Sequence, residues 1–464
     1  MTWKRIDNNE ENVRTEEIQE ALKLKSNSSV LLYAVDEEKF LNILVLNSED
    51  GVKTFRHEAF LPEIDVFINF LLVNCKVNLN RDSSFYKLAS GFTPGYEMIP
   101  PNRMNKTPVK SKSADATKEA ETRGLGESET TSSTPFPNLP SDESKSSDKE
   151  CAVVDLYTEK IFQLLYEKLI YPVKEFIKGR KIIIVPDKLL FFVPFCSLLD
   201  ENSCWLSENY SFQITPSLHT LVSSITRSRD SVLGFALFVG NPMVGKVSFR
   251  GEEIQPPMLL SASEEVKYLA PLFETQPLVE SEATKERVLK FIRDASIIHI
   301  SAHGEPDSGE IFLAPNPDIT EQNSSLPKEN TYLLKQRDIM KIAINARLVV
   351  LCCCHTGQGK ISSEGVVGLA RAFLCAGARS VLATLWSIHD EATKGFMKIF
   401  YHHICNETSV CEALRKAMNI FQKHENEEFR SFKIWAPFTI YGEDVSFTRD
   451  DIEEIKRRSR EMNF

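Results

Sequence analysis

The sequence has no apolar run of the roughly 20 residues that a membrane-spanning helix requires. Its first residues, MTWKRIDNNEENVRTEE, are charged throughout, so the apolar core of a signal peptide is missing as well. No repeat of about 30 to 45 residues recurs along the chain, which argues against an array of helical repeats. These absences predict a cytoplasmic protein without a membrane partner.

Basic clusters interleaved with aromatic residues are also missing, and the charge balance is acidic, with 55 Lys and Arg against 65 Asp and Glu. This composition argues against a nucleic-acid partner. The ten cysteines lack both CxxC pairs and the spaced pattern of a small disulfide-rich secreted domain. We therefore expect reduced thiols.

The chain does have enough apolar residues for large cores, because 42% of its 464 residues are hydrophobic, and this length usually divides into two or three domains. Residues 93–150 break the pattern, since they are rich in Ser, Thr, Pro, Lys and Glu and poor in aliphatic side chains. Such a segment buries too little apolar surface to offset the entropy lost on ordering. We predict a disordered insertion there. Before it, residues 28–60 are typical of β-strands and residues 63–75 have helical spacing.

From residue 155 onward, helix-spaced segments alternate with short aliphatic runs that end in Gly, Pro or polar residues. Ser261 or Ser263 is a candidate N-cap for one of these helices. Continuous aliphatic strands alternating with helices predict an α/β fold with a mostly parallel central sheet covered by helices. In such folds functional groups gather beyond the carboxyl ends of the strands. The predicted strands are residues 181–187, 235–242, 296–304, 347–357 and 379–386, and the predicted helices are residues 155–177, 261–273, 281–295, 363–377 and 390–404.

One strand end, GNPMVGKV at residues 240–247, differs by one residue from a phosphate-binding loop. Val247 stands where that loop has the hydroxyl that binds Mg²⁺. The residues that follow are typical of a turn rather than of a helix that could hold phosphates. An ordinary exit from a strand is the favoured interpretation.

A second strand end, SIIHISAHGE at residues 296–305, carries two histidines. His299 lies inside the strand and is interpreted as a core histidine whose hydrogen bonds are satisfied. His303 lies past the strand end, where a loop histidine titrates near neutral pH and the adjacent Gly304 lets a substrate approach the backbone. The alternative for His303 is a solvated loop histidine.

The third strand end, CCCHTG at residues 352–357, places three cysteines together. Adjacent strand residues point to opposite faces and no CxxC pair is present, so this spacing argues against zinc, and no metal or other cofactor is expected. Cys352 and Cys353 fall within the strand, where free cysteine behaves as a small hydrophobe. Cys354 is the first that projects from the strand end as a candidate nucleophile. His303 is its candidate base, because consecutive parallel strands are usually neighbours.

These segments carry a family resemblance. IIHISAHGE, followed by VVLCCCHTGQG and EGVVGLARAFLCAGARSVLATLWSIHDEAT, resembles the CHAT domains, caspase-related cysteine-peptidase domains usually attached to tetratricopeptide repeats. IIIVPDKLLFFVPFCSL, FVGNP and WAPFTIYGE are similar as well, so the resemblance covers residues 28–445 apart from the insertion. It implies that His303 and Cys354 are the catalytic pair and that backbone N–H groups of Gly304 and Cys354 stabilise the oxyanion.

The cysteine motif departs from a common family form, SACETG, at Cys352, Cys353 and His355. His355 replaces an acidic residue beside the candidate nucleophile. Whether this replacement tunes or impairs activity is left open by the sequence.

The resemblance also implies a caspase-like three-layer fold in two halves. Residues 28–232 would form a pseudo-protease half that contains the insertion, and residues 233–445 a caspase-like protease half. Residues 1–27 would be an N-terminal lead, and residues 446–464 an exposed charged helix or frayed tail. Tetratricopeptide repeats, which often precede such domains, are not found in the sequence, so the sensor or regulatory partner that they would supply is either missing or a separate protein, such as a tetratricopeptide-repeat protein or another regulatory protein.

Asp390 is a candidate for the specificity pocket. It follows the predicted strand 379–386, and relatives of this fold that cleave after basic residues line the first pocket with a carboxylate, often from this region. A carboxylate there would pair with Arg or Lys of a substrate. The alternative is that Asp390 caps the helix that follows it.

The sequence is compatible with three functions. The first is a cysteine endopeptidase acting on protein or peptide substrates, the second a catalytically silent interaction scaffold, and the third a thiol redox sensor. The presence of both His303 and Cys354 favours the first. A redox sensor would need Cys352 and Cys354 to interconvert, and neighbouring strand residues point apart and rarely pair.

Overall fold

The structure is a computed structural model, and it describes the chain with several gaps. The described residues are 27–35, 40–60, 64, 67–68, 148–226, 232–305, 309–316, 326–352, 360–362, 365–386, 388 and 390–462; for residues 57–60, 148–157, 225–226, 360–362, 365–367 and 390 this covers the backbone only. The predicted insertion lies outside the described residues except for residues 148–150, which belong to a helix. That end of the insertion was therefore placed three residues too far along the chain.

Seventeen strands are found in the described residues. They are β1 (Ser28–Val35), β2 (Phe40–Asn47), β3 (Gly51–Phe60), β4 (Lys181–Val185), β5 (Ser211–Ile214), β6 (Ala236–Pro242), β7 (Val247–Phe249), β8 (Glu252–Ile254), β9 (Leu278–Glu280), β10 (Ile297–Ser301), β11 (Ile311–Phe312), β12 (Leu333–Leu334), β13 (Leu348–Leu351), β14 (Lys360–Ser362), β15 (Gly365–Val367), β16 (Ser380–Thr384) and β17 (Phe438–Gly442).

Eleven of these strands form one sheet in the order β3-β2-β1-β4-β5-β17-β16-β13-β10-β6-β9. In this order, β1, β4, β5 and β17 form one set of parallel neighbours, and β16, β13, β10, β6 and β9 form a second. The two sets meet at β17 and β16, which are antiparallel to each other. β2 is antiparallel to both β1 and β3. Every residue of β6, β10, β13 and β16 is buried, as expected for parallel strands covered on both faces.

The described helices connect and cover these strands. They are α1 (Asp148–Leu169), α2 (Leu206–Asn209), α3 (Leu218–Thr226), α4 (Leu260–Leu269), α5 (Lys285–Phe291), α6 (Glu329–Tyr332), α7 (Gln336–Ile339), α8 (Leu369–Ala376), α9 (Asp390–Cys405), α10 (Val410–Gln422), α11 (Glu427–Arg430), α12 (Phe432–Trp435) and α13 (Arg449–Glu461). Short 3₁₀ turns lie at Tyr171–Phe176, Lys188–Phe192, Phe195–Ser197 and Ala270–Phe273.

Helices lie against the sheet according to their apolar spacing. In α10 the buried residues recur every three or four positions, for example Val410, Leu414 and Phe421, so one face packs against β5 and β17. α4 and α9 pack against each other, and α4 lies over β6 and β10. α8 packs against β16 and β17. The result is the α/β, caspase-like three-layer arrangement that the sequence predicts.

The described residues before residue 69 and after residue 153 belong to the larger of two compact units, and of the other unit the structure describes only residues 148–153 at the start of α1. Within the larger unit, the strands before residue 233 occupy one side of the sheet and those after it the other. The division of function between the two predicted halves stays a prediction.

Two local predictions need correction. α4 begins at Leu260 with Leu259 at its N-cap and no side-chain cap, so neither Ser261 nor Ser263 caps it; both lie inside its first turn. The segment predicted as a helix over residues 363–377 divides into β15 and the shorter α8, which starts after Gly368.

The tail predicted over residues 446–464 also needs correction, because it forms a docked helix. Thr448 caps α13 by accepting a hydrogen bond from the backbone N–H of Asp451. Ile452 and Ile455 are buried, and the Ser459 hydroxyl accepts a hydrogen bond from the N–H of Ala236 at the start of β6. One face of the charged helix is therefore part of the core.

Among the helices that the structure describes, none combines the length and the apolar character needed to cross a membrane.

Candidate functional site

The carboxyl ends of β6, β10, β13 and β16 meet at one edge of the sheet, because these neighbouring strands run in parallel. The pairing confirms that the histidine strand β10 and the cysteine strand β13 are neighbours. Ile300 pairs with Leu351, and the N–H of Cys352 extends the ladder by donating to the carbonyl of Ile300 at 2.9 Å. Of the predicted site residues, His303 and Gly304 are described at this edge, where they follow β10.

His303 lies two residues beyond the end of β10 and is half-buried. Its Nε2 lies 2.8 Å from the backbone carbonyl of Pro257. A carbonyl oxygen only accepts, so Nε2 carries a proton in this contact, and in the neutral form of the ring the lone pair lies on Nδ1. The backbone is held too, since the carbonyl of His303 accepts from the N–H of Phe312 at 2.9 Å and Gly304 bridges to Ile311.

The segment that contains Pro257 is itself held by Asn241. The Asn241 side-chain oxygen accepts a hydrogen bond of 2.7 Å from the N–H of Leu259, two residues after Pro257. Asn241 is buried at the end of β6 and has a left-handed backbone with φ of 49°, a conformation that Asn tolerates better than most residues. Neither Pro257 nor Asn241 was predicted as a site residue, although FVGNP places Asn241 at a strand end.

The GNPMVGKV segment is an ordinary strand exit, as predicted. β6 ends at Pro242, and Val247 opens the short hairpin of β7 and β8 rather than a helix. A charge close to the candidate site comes from this hairpin: Arg250 at its turn forms a 3.2 Å ion pair with the buried carboxylate of Glu305.

His299 is the core histidine that the sequence predicts. It is fully buried, and both ring nitrogens have partners: Nε2 lies 2.8 Å from Oε1 of Glu265 on α4, and Nδ1 lies 3.2 Å from the hydroxyl of Tyr401 on α9. Cys352 lies at the same place, since its Sγ, a ring nitrogen of His299 and a carboxylate oxygen of Glu265 are all within 4.8 Å of one another.

Burial, followed by the nearby Cys352 and Glu265, raises the pKa of Tyr401 well above its ordinary value. The hydroxyl therefore stays protonated and is available to the His299 ring as donor or acceptor. We call Glu265, His299, Cys352 and Tyr401 the inner cluster. Its histidine lies within β10, whereas His303 lies past the end of that strand.

Cys354, the predicted nucleophile and second oxyanion donor, lies outside the described residues, as do Cys353 and His355. β13 ends at Leu351, and the described residues of this segment end one position later at Cys352, which is half-buried. The pairing of Cys354 with His303 and the role of the Gly304 and Cys354 N–H groups therefore stay predictions.

Asp390 begins α9, and its side chain lies outside the described residues. The strand before it, β16, lies beside β13, with Ala383 paired to Leu351, as the pocket prediction requires. Trp386 is buried and donates its indole N–H to the carbonyl of Lys433, so it belongs to the core rather than to an open pocket.

Comparison with known proteins agrees with this architecture. Residues 159–443 match the sequence profile of the CHAT domain. The chain is 28% identical to tetratricopeptide repeat protein 28 of Mus musculus and 29% identical to that of Homo sapiens, each in an alignment of 303 residues that covers 58% of this chain. The match covers only 12% of the length of those relatives.

Among solved structures, the separase of the Saccharomyces cerevisiae separase–securin complex is similar over 93% of this chain and 31% of that chain, with a TM-score of 0.51 and 12% sequence identity. At that identity the likeness concerns the fold alone. The profile match extends over more than half of the sequence and includes the strand ends described above. The chain therefore belongs to the CHAT-domain family.

Proposed function

We propose that the protein is a cysteine endopeptidase in which Cys354 is the nucleophile and His303 the general base and acid. The observation that carries the proposal is the fixed imidazole of His303 at the end of the strand beside the cysteine strand. The register of the two strands supports it: Val350 pairs with His299, and the same sequence offset relates Cys354 to His303.

The hydrogen bond to Pro257 supports an assignment of the protons in the proposed reaction. With Nε2–H donating to the carbonyl, Nδ1 of His303 accepts the thiol proton of Cys354. The thiolate attacks the scissile carbonyl, and the protonated His303 passes its proton to the leaving amine. Water, deprotonated by the same nitrogen, then hydrolyses the thioester and releases the thiol. Backbone N–H groups of Gly304 and Cys354 are proposed to stabilise the oxyanion in both steps.

A preference for certain substrates and a regulatory protein partner are also proposed. Asp390 is proposed to favour Arg or Lys before the cleaved bond, because the helix that it begins follows the strand next to β13. The names of the curated relatives support a tetratricopeptide-repeat or other protein as regulatory partner. A cytoplasmic location belongs to the same proposal.

A catalytically silent scaffold is the second candidate. It is favoured by His355, which stands where a common family form has an acidic residue beside the nucleophile. In that case the strand-end surface would bind a protein segment without cutting it.

Labelling with a peptidyl electrophile, followed by peptide mapping, distinguishes the two candidates. We expect modification at Cys354, its loss in Cys354→Ala, and a loss of nearly all turnover in both Cys354→Ala and His303→Ala. Cys353→Ala and the exposed Cys375→Ala are the matched controls and should retain labelling and turnover. Labelling that survives in Cys354→Ala and disappears in Cys353→Ala would contradict the assignment. A wild-type protein that is neither labelled nor active favours the scaffold.

A further inference from the structure

The inner cluster brings together three side chains of metal-binding type from three separate elements. Glu265 comes from α4, His299 from β10, and Cys352 from the position directly after β13, and their ligand atoms lie within 4.8 Å of one another. We propose that these three residues bind a divalent cation of the zinc class. The proposal concerns the inner cluster and does not depend on the proposed peptidase function.

The donor set and its spacing fit such an ion. Thiolate, imidazole and carboxylate are the side chains that bind Zn²⁺, at about 2.0 to 2.3 Å, which places ligands of a tetrahedral site about 3.3 to 3.5 Å apart. The present distances require small side-chain rotations. The 2.8 Å contact between Nε2 of His299 and Oε1 of Glu265 would lengthen as the ion replaces the shared proton.

The protonation states are compatible with binding. His299 would carry its proton on Nδ1 and donate it to the hydroxyl of Tyr401, now 3.2 Å away, which leaves the Nε2 lone pair for the metal. A hydrogen bond from the second ring nitrogen is the usual way in which proteins orient a histidine ligand. Cys352 would release its thiol proton to solvent, because the thiolate is the ligand.

Charge balance and access also favour a dication at this place. Glu265 and His299 are buried, with 1% and 0% of their surfaces exposed, and an unbalanced charge there would be costly. The Glu265 carboxylate and the Cys352 thiolate together neutralise a doubly charged ion. Cys352 follows β13 directly and is only half-buried, and a water molecule would complete a four-coordinate site.

A metal at the inner cluster would fix Cys352, which is the first residue of the CCCHTG segment and its only described one. Cys352 precedes Cys354 by two residues, so an ion that joins Cys352 to α4 and β10 would restrain the strand end on which the proposed nucleophile follows. Sequence spacing gives no sign of this site, because the spacing argument against zinc applies only to ligands drawn from within one motif.

Cobalt and zinc titrations of the full chain test the proposal. After removal of metal with a chelator, Co²⁺ should bind at one equivalent with the near-ultraviolet charge-transfer band of a thiolate ligand, and Zn²⁺ should abolish that band by displacing it. Cys352→Ser should lose the band. Cys375→Ser, which removes an exposed thiol on α8, and Cys354→Ser should retain it.

Two further variants separate metal binding from folding. Glu265→Gln keeps an acceptor for His299 but loses the charge, and Tyr401→Phe removes only the orienting hydroxyl; each should weaken Zn²⁺ binding about 10-fold or more, measured by competition with a chromophoric chelator. The proposal is overturned if wild type shows no saturable binding of either metal, or if the cobalt band persists in Cys352→Ser or disappears in Cys354→Ser alone.

Discussion

His299 and His303 lie four residues apart on the same segment, and their surroundings give them different chemistry. The ring of His299 is enclosed by Glu265, Tyr401 and a stacked Phe238, so no substrate reaches it. The ring of His303 is half-buried and makes one described hydrogen bond, to a backbone carbonyl. Only the second arrangement leaves a nitrogen available for proton transfer to a bound peptide.

Asn241 should stabilise the segment that orients His303. In Asn241→Gly the hydrogen bond to the N–H of Leu259 is lost, and we expect the free energy of unfolding to fall by about 1 kcal/mol. Asn241→Ala should cost about 1 kcal/mol more than the glycine variant, because alanine is strained at a φ of 49°. Urea denaturation measures both values, and kcat should fall in both variants if the peptidase proposal holds.

Glu280 is a matched control for the backbone effect. It has a φ of 51° and an exposed side chain, so Glu280→Gly should leave the protein as stable as wild type or slightly more stable. A loss in Glu280→Gly as large as in Asn241→Gly would mean that the Asn241 hydrogen bond contributes nothing.

The sequence shows which types of side chain are present, but it does not show which groups they contact. His299 is recognised as a core residue because it lies within an aliphatic run. The carbonyl of Pro257 has no residue signature, since every residue has a carbonyl, and its distance of 46 positions from His303 hides the contact. In the sequence, Glu265 resembles an ordinary acidic residue near the start of a helix. Only the packing of α4 against β10 reveals its contact with His299.

Among the elements, α13 shows how a charged helix becomes part of the core. Ile455 is fully buried, and an ion pair of 2.9 Å between Asp451 and Arg347 joins the helix to the start of β13. Two isoleucines among many charges form too narrow an apolar stripe to distinguish a docked helix from an exposed one. The prediction from sequence was correct about the helix and wrong about its exposure.

Ile455→Ala should lower the free energy of unfolding by about 2 to 5 kcal/mol, because it leaves a cavity between α13 and the sheet. Thermal or urea denaturation measures the loss. Glu453→Ala, on the exposed face of the same helix, should leave the unfolding midpoint unchanged. Equal midpoints for Ile455→Ala and wild type would show that α13 detaches without cost.

Asp390 tests the start of α9. A carboxylate in the first turn of a helix is stabilising in general, so Asp390→Asn should cost about 0.3 to 1 kcal/mol. If it also lines the pocket, the variant should lose its preference for Arg or Lys when a peptide library is screened. Glu391→Gln is the matched control, because Glu391 lies in the same turn but pairs with Lys394 at the surface, and selectivity should not change. An unchanged preference in Asp390→Asn refutes the pocket role.

The strands before residue 233 and those after it meet in the sheet where β17 lies beside β5. The ladder is short there, with only Tyr441 and Ile214 paired in register. Side chains strengthen the junction: Gln213 donates to the carbonyl of Gly442, and Lys181 forms a 2.6 Å ion pair with Asp444. Asp444 also accepts from the N–H of Cys411 at 2.9 Å.

Burial raises the pKa of Asp444, but the charge of Lys181 and the hydrogen bonds from Lys181, Cys411 and Ser409 lower it more, so that its pKa lies below the ordinary value. A carboxyl with a lowered pKa stabilises the folded state above the pKa of the unfolded chain, about 3.9. That stabilisation is lost as the pH falls through the lower pKa of the folded state. The junction should therefore weaken in acid.

Asp444→Asn should reduce the free energy of unfolding by about 3 kcal/mol at pH 7, because it leaves the Lys181 ammonium half-buried without its anion. The difference from wild type should stay constant down to about pH 4 and shrink below it. Urea denaturation at a series of pH values measures this. Glu427→Gln, which removes an exposed ion pair with Arg430, should show no such dependence. A difference that grows as the pH falls would contradict the assigned direction.

The parallel arrangement of β6, β10, β13 and β16 follows from the sequence, because aliphatic runs alternating with helices specify parallel neighbours and a shared carboxyl edge. The junction does not, since β5 is only four residues long and β17 pairs with strands far away in sequence. β3 was likewise not separated from β2, because the SED turn between them is short.

Deletion of the predicted insertion tests whether that segment contributes to the stability of the fold. A variant lacking residues 95–145 ends its deletion before α1, whose buried Phe162 packs edge-to-face on Trp205 and must be kept. We expect its thermal midpoint within a few degrees of wild type, because removing a polar connection costs no core contacts and shortens the loop to be closed. Phe162→Ala, in contrast, should lose about 3 to 5 kcal/mol of stability. Brief trypsin treatment of the full chain should cut first within residues 93–147, and a large fall in the midpoint of the deletion variant would show that the segment contributes to the fold.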